Sequence, residues 1–147
     1  MTKTRHGHTN FEGLQQFISD MLPRKIHEGP PVSHKRYQAA GFMPLVFERL
    51  YYTDYKGRQV YSMTHYGEQN GDAMRDPDLT FSVDMDAKTI EPQTFQNDYL
   101  GLYQEVYKQD EQGRTLYSQR LRSSLDEFLW QWLKNIEQQG YTEEVPA

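Results

Sequence analysis

The sequence predicts an α+β fold: an antiparallel, meander-like β-sheet of about five to six strands with an N-terminal and a C-terminal amphipathic helix packed on one face. Apolar residues recur at helical spacing near both ends of the chain, and a two-residue alternation of apolar and polar residues replaces that spacing in the middle. Turn residues separate the alternating segments, which therefore follow one another directly and favour antiparallel pairing. The length of 147 residues predicts a single domain.

The first helix is predicted to begin at Thr9, because Thr9 and Glu12 have the spacing of a capping box. Its apolar stripe consists of Phe11, Leu14, Ile18, Met21 and Leu22. Pro23 ends the helix, since proline has no N–H to donate and its ring blocks the preceding turn. Residues 1–8 are expected to be flexible, and residues 23–40 to form an irregular, proline-rich connection.

Alternation in the middle of the chain predicts strands over 42–53, 59–66, 79–85, 89–95, 100–109 and 114–121. In the clearest of them, Leu79, Phe81, Val83 and Met85 alternate with Thr80, Ser82, Asp84 and Asp86. This pattern predicts one buried and one wet face. A loop is predicted over 67–77, around the turn dipeptide Asn70-Gly71. Pro92 favours an edge position or an early end for its strand.

The last helix is predicted from the capping-box spacing of Ser124 and Glu127 to Gly140, which suits the left-handed position after a helix. Its apolar stripe consists of Leu125, Phe128, Leu129, Trp132, Leu133 and Ile136. Six such side chains contribute at most about 9–18 kcal/mol on burial, before entropy is counted, so we expect the helix to pack firmly on the sheet. Residues 141–147 are expected to form a flexible tail.

The composition excludes several classes of protein. Aromatic residues make up 14% of the chain, so we expect large rings to supply much of the core. The absence of cysteine excludes a disulfide scaffold and thiolate chemistry. The N-terminus lacks the apolar core of a signal peptide, and no stretch has the length and hydropathy of a transmembrane helix. We therefore expect a cytoplasmic protein without a membrane contact.

Charge is distributed unevenly along the chain. Residues 1–60 contain nine Lys+Arg and five Asp+Glu, whereas residues 61–111 contain three and eleven. An acidic surface repels nucleic-acid phosphate and attracts basic proteins. The pattern therefore favours a protein partner with a basic surface over a nucleic acid. A solvated acidic surface that keeps a small protein soluble also explains it without any partner.

The most polar stretch, residues 65–78, is the candidate binding segment, and we refer to it as the polar segment. Its candidate binding residues are His65, Tyr66, Glu68, Asn70, Asp72, Arg75 and Asp76. The spacing matches neither a calcium-binding EF-hand loop nor a His-Glu-x-x-His zinc motif, and no phosphate-binding glycine motif is present. We predict no catalytic residue, metal or cofactor. Turn formation alone also explains many of these residue types, so a structural turn, a binding surface and a catalytic or metal site all stay open.

Three stretches, 41–46, 65–72 and 75–81, resemble an uncharacterised family of small domains. Members of that family occur on conjugative elements, phages and plasmids, alone or within long polyvalent proteins beside antirestriction domains. The resemblance covers roughly residues 41–100 and extends to the last helix. It implies a mobile-element context and carries no catalytic residues.

Three hypotheses for the function follow. The first is a non-enzymatic accessory module that binds a protein, against host defence or during transfer of a mobile element. The second is a nucleic-acid-binding protein that uses the basic N-terminal part, with Arg49, Lys56 and Arg58 beside strand tyrosines. The third is a metal-assisted or acid/base enzyme built on His65 and carboxylates of the polar segment, Glu68 and Asp72.

Overall fold

The computed structural model describes residues 6–145 and shows an α+β fold with two α-helices and an antiparallel sheet, which confirms the predicted class. The helices are α1 (Gly7–Ile18) and α2 (Gln119–Gln139), and short 3-10 turns span Ser19–Met21 and Ile26–Glu28. The strands are β1 (His34–Gln38), β2 (Leu45–Thr53), β3 (Gln59–Gln69), β4 (Asp72–Asp84), β5 (Thr89–Asn97), β6 (Leu102–Glu105), β7 (Tyr107–Gln109), β8 (Thr115–Tyr117) and β9 (Thr142–Glu143).

The main sheet has seven strands in the order β6-β5-β4-β3-β2-β1-β9, and β7 and β8 form a separate hairpin. Strands β1 to β6 are neighbours in chain order, so the predicted meander is confirmed. The strand number exceeds the prediction because two segments expected to be irregular contribute strands. The connection over 23–40 contains β1, and the tail over 141–147 contains β9, which pairs with Tyr37 and Gln38. Both strands are too short and polar for alternation to reveal them.

Both helices pack on one face of the sheet, where the buried core lies. The helices contribute Phe11, Leu14, Ile18, Leu125, Leu129, Trp132, Leu133 and Ile136, as the two apolar stripes predict. Phe128 of the second stripe is 38% exposed and lies outside this core. The sheet contributes Leu45, Phe47, Tyr61, Met63, Leu79, Phe81, Val83 and Ile90. Gly13 lets the helices approach closely, because a Cβ at this position would lie 3.2 Å from Leu133 Cδ1.

Helix α1 begins two residues before the predicted start, and Thr9 does not cap it. A carboxylate of the other helix takes this role: the backbone N–H of His6 donates to Asp126 Oδ2 at 2.7 Å. The Asn10 amide donates to Asp126 Oδ1 at 3.2 Å, and the His6 ring stacks on Trp130 with centroids 4.7 Å apart. Residues 6–8 of the expected flexible segment therefore lie in or against α1, and residues 1–5 lie outside the described residues.

Helix α2 begins more than one and a half turns before the predicted start, since the observed cap is Ser118 and the predicted one is Ser124. Ser118 caps it, since the backbone N–H of Leu121 donates to Ser118 Oγ at 3.2 Å. Ser124, the predicted cap, lies exposed inside the helix. The C-terminal prediction is confirmed, because Gly140 has a φ of 76°.

Replacing Ser118 by alanine is expected to lower the free energy of unfolding by about 1 kcal/mol, because the N–H of Leu121 loses its acceptor. The matched control is Ser124→Ala, which leaves stability unchanged or slightly higher since alanine favours helix interiors. Urea denaturation of both variants measures the difference. If Ser124→Ala lowered the free energy of unfolding as much as Ser118→Ala, the account of Ser118 as the cap would be contradicted in favour of the predicted start at Ser124.

The polar segment is a β-hairpin, so the predicted loop over 67–77 is wrong. Strand β3 continues to Gln69, Asn70 and Gly71 form a tight turn with φ of 52° and 84°, and β4 begins at Asp72. Asn-Gly favours such two-residue turns because both positions need positive φ. The strands were missed because this end of the hairpin extends beyond the core, so its residues do not alternate between apolar and polar.

Candidate functional site

The face of the sheet opposite the helices carries two cross-strand rows of mostly polar side chains, which we call the open face. One row consists of Arg36, Val46, Thr64, Asp78, Gln96 and Tyr103. The other consists of His34, Glu48, Ser62, Thr80, Thr94 and Glu105. Their neighbours along the strands, such as Phe47, Met63 and Leu79, lie in the core, so alternation turns both rows away from the helices.

One end of this face is closed by a buried ionic network around Glu91. Arg122 of α2 and Arg58 of the β2–β3 turn approach the Glu91 carboxylate at 3.3 Å and 3.7 Å. The Tyr107 hydroxyl donates to Glu91 Oε1 at 2.6 Å, and Arg58 Nε donates to Asp54 at 2.9 Å. The network therefore joins the β7–β8 hairpin and the β2–β3 turn to the sheet.

Hydroxyl groups form the floor of the open face, and tyrosines cover them. Thr64 and Thr80 are only 2% and 7% exposed. The Tyr66 side chain lies beside the Thr64 hydroxyl, and the Tyr52 side chain lies beside Thr80. The expectation that Thr80 faces water is therefore wrong, because aromatic side chains of β2 and β3 shield it. Ser82, also expected to be wet, is 1% exposed next to the Glu91 network.

Asp78 stands in the centre of this floor. Burial raises the pKa of its carboxyl group to about 6, although the charge of Arg75 and a hydrogen bond with the Thr64 side chain act in the opposite direction. Asp78 Oδ1 is buried and has no hydrogen-bond partner. Arg75 directs its Nε to Asp98 Oδ2 at 3.0 Å, and no ion pair to Asp78 forms within residues 6–145. A carboxylate that is largely removed from water without a cationic partner is costly to keep, and such groups concentrate at functional sites.

Three tyrosines from three strands surround Asp78: Tyr52 of β2, Tyr66 of β3 and Tyr103 of β6. The pKa of each phenol is raised, first by burial and also by the negative charge of Asp78. Tyr52 and Tyr103 are about half exposed, at 54% and 55%. Across the described part of the chain, none of the three rings stacks on another aromatic ring or carries a cation. The exposed parts of Tyr52 and Tyr103 can therefore contact a ligand.

Beside these tyrosines lies a groove of about 780 Å³ over strands β1 to β3. Its lining includes His34, Arg36, Glu48, Tyr66 and Glu68. Arg36 is already paired, because its Nε lies 2.9 Å from Glu144 Oε2. Neither glutamate of the lining takes part in an ion pair anywhere in the region from 6 to 145. The groove and the centre of the open face therefore present uncompensated negative charge.

The structure separates the residues predicted for a catalytic or metal site. His65 points to the helix side, where its ring lies 5.1 Å from Trp132 and its Nδ1 lies 3.3 Å from the Pro44 carbonyl oxygen. Burial lowers its pKa, which favours the neutral imidazole. Glu68 and Asp72 lie exposed near the hairpin turn. Residues 6–145 contain no group of three or more His, Asp or Glu side chains arranged to hold a metal ion.

The other candidate residues of the polar segment mainly hold the hairpin in place. Arg75 pairs with Asp98, and Asp76 accepts a hydrogen bond from the Asn97 amide at 2.8 Å. Asn70 occupies the turn. Of the predicted set, Tyr66 belongs to the centre of the open face and Glu68 to the adjoining groove.

Tyr52 and Tyr103 were not among the candidate residues predicted from the sequence, and Asp78 was included only as the last residue of the polar segment. One signal was available, because Asp78 continues the polar phase of Thr80 and Ser82 on the same strand. The convergence of the tyrosines on it depends on the register of five strands, β2 to β6, which the sequence pattern does not determine.

Among residues 6–145, neither helix combines the length and the apolar character that a membrane crossing requires. The chain matches no curated protein and no solved structure. A family profile described as "Domain of unknown function (DUF6908)" matches residues 15–142, which is most of its length. The chain therefore belongs to the DUF6908 family of domains of unknown function.

Proposed function

We propose that the chain is a non-enzymatic protein-binding module whose open face holds a basic segment of a partner protein. The observation that carries this proposal is a broad sheet face that neither helix of residues 6–145 covers and whose central carboxylates form no ion pair with a cation of those residues. Tyrosine is enriched at protein interfaces because it combines a large apolar ring with a hydrogen-bonding hydroxyl. The half-exposed Tyr52 and Tyr103 supply such contacts here.

Charge supports a basic partner. The open face and its groove carry Glu48, Glu68, Asp78 and Glu105 without ion pairs within the described residues, whereas Arg36 is bound to Glu144. Complementary charge raises association rates and excludes partners of like charge. A lysine- or arginine-rich segment fits this surface better than an acidic one.

The biological context that we propose is that of an accessory protein of a mobile genetic element, acting in the cytoplasm against host defence. This context rests on the resemblance of residues 41–100 to domains found beside antirestriction domains. A module without catalytic groups acts in such a setting by occupying the surface of a host protein.

The geometry gives less support to the two rival functions. For nucleic-acid binding, several basic side chains of the N-terminal part are already paired with carboxylates, among them Lys35 with Asp20 and Arg58 with Asp54. For acid/base catalysis, His65 lies on the helix side of the sheet, away from Asp78. Neither arrangement presents a converging set of groups to phosphate or to a reacting atom.

A randomised peptide library selected on the immobilised chain tests the proposal. We expect recovered peptides to be rich in Lys and Arg, and their affinity to fall as salt rises from about 50 to about 500 mM, because screening weakens exposed charge pairs. The double variant Glu48→Gln/Glu105→Gln is expected to weaken binding about tenfold, since each exposed pair contributes up to about 1 kcal/mol.

The matched control is Glu137→Gln, which removes an exposed carboxylate from α2 on the opposite side of the sheet. It is expected to leave peptide binding unchanged. The proposal fails if no basic peptide is enriched, or if the double variant and the control bind the selected peptides equally well.

A further inference from the structure

We infer that the open face anchors its partner through one cationic side chain, held between Tyr52, Tyr66 and Tyr103 and directed at the Asp78 carboxylate. This inference rests on the proposed function and names the chemistry that the site selects. A lysine ammonium and an arginine guanidinium share that chemistry, and the experiment below distinguishes them.

The register of the sheet places the three tyrosine side chains around the Asp78 carboxylate. Thr64 pairs with Asp78 across β3 and β4, and Tyr66 covers Thr64. Thr80, two residues along β4, lies beside Tyr52. On the other side, Gln96 pairs with both Asp78 and Tyr103. Asp78 is therefore bordered by a tyrosine towards β2, one towards the hairpin end of β3 and one towards β6.

The cations closest to this point are engaged elsewhere. Arg75 donates from its backbone N–H and from Nε to Asp98 Oδ2, at 2.9 and 3.0 Å. Arg36, in the same cross-strand row as Asp78, donates to Glu144. The cation–π contacts within the described residues involve other rings, as in Lys134 over Trp130 at 3.6 Å. The position above Asp78 is therefore not filled by a cation of residues 6–145.

A cationic side chain of a partner would contact both the tyrosine rings and the Asp78 carboxylate. Aromatic faces attract cations through their quadrupole, and the attraction grows as the contact is removed from water. The carboxylate adds a charge that water screens only partly, because Asp78 is largely buried. A neutral polar side chain would gain neither interaction, so the site selects a positive charge.

The probes that test this inference are N-acetyl-lysine methylamide, the corresponding arginine compound, and the lysine compound acetylated on Nζ as the neutral control. Ring resonances of Tyr52, Tyr66 and Tyr103 are followed by NMR in the full chain during titration. We expect the ring resonances to shift with at least one cationic probe and to stay in place with the neutral one. The tighter of the two cationic probes identifies the preferred side chain. Equal shifts with the neutral probe, or no shift with either cation, overturn the inference.

Two variants locate the binding. Asp78→Asn is expected to weaken binding of the cationic probe at least about tenfold, since the probe loses its charge-assisted contact with the carboxylate. The matched control Tyr51→Leu alters the fully exposed neighbour of Tyr52 and is expected to leave binding unchanged.

If selected peptides depend on Glu48 and Glu105 but bind Asp78→Asn as tightly as the unchanged chain, the inferred anchor at Asp78 is wrong while the protein-binding function stands. Failure to select any basic peptide instead overturns both.

Discussion

Replacing Glu91 by alanine is expected to lower the free energy of unfolding by about 3–5 kcal/mol, the usual loss when one member of a buried ion pair is removed. Glu91 and Arg122 are each 6% exposed, so the arginine would keep its charge without water or a carboxylate to compensate it. Arg58 and the Tyr107 hydroxyl lose a partner in the same step. The effect is large because three separate segments meet at this carboxylate.

The matched control is Glu105→Ala on the open face, where the glutamate is exposed and belongs to no ion pair of the described residues. Its free energy of unfolding is expected to change by less than about 0.5 kcal/mol. Guanidinium denaturation measures both variants. A loss below about 1 kcal/mol for Glu91→Ala would mean that the network does not hold the closed end of the open face together.

Replacing Asp78 by asparagine is expected to raise the free energy of unfolding at neutral pH by about 2–3 kcal/mol. Folding raises the pKa of this carboxyl from an ordinary 3.8 to about 6, so the ionised form, which predominates at neutral pH, is less stable in the folded chain. Asparagine occupies a similar volume without the charge. A destabilising group at the centre of an open surface is typical of a residue that serves binding.

The same variant changes the pH dependence of stability. Because the folded chain binds the Asp78 proton more tightly than the unfolded chain, this group lowers stability as pH rises from about 4 to about 6, and its full cost is present above that range. Urea denaturation over this range is expected to show a flatter curve for Asp78→Asn, and Asp72→Asn in the exposed hairpin serves as control. A destabilised Asp78→Asn at neutral pH would contradict the burial of an unpaired charge.

The core was predictable from sequence because burial on a helix or strand imposes a regular spacing. Two apolar stripes predicted the helices, one from Phe11 to Leu22 and one from Leu125 to Ile136. The central strand was predicted from the alternation of Leu79, Phe81 and Val83 with polar residues. Helix ends were less predictable, since the group that caps α1 is Asp126, which lies more than a hundred residues away in the chain. Capping by a distant side chain leaves no local pattern.

The candidate site was predictable only in part. Tyr66 was identified because it lies in the most polar stretch of the chain. The same stretch drew attention to His65, which pairs with the core residue Leu45 and packs against Trp132 on the helix side. Asp78 stood at the end of that stretch, where its surroundings depend also on Tyr52 and Tyr103, each more than twenty residues away in the chain. Polar stretches occur both in exposed turns and on functional surfaces, so polarity in the sequence does not distinguish between them.

The pKa of Asp78 tests the central claim most directly. Carbon-13 NMR of the carboxyl group during a pH titration measures it in the full chain, first alone and then with saturating N-acetyl-lysine methylamide. The charged or titratable groups that face Asp78 are Glu48 and Tyr52 of β2, Tyr66 of β3, Arg75 of β4, Asp98 of the β5–β6 turn and Tyr103 of β6. We predict a pKa of about 6 alone and a lower value with the probe, because the cation binds the ionised carboxylate. An ordinary pKa without the probe, or a pKa that the probe leaves unchanged, would contradict the account.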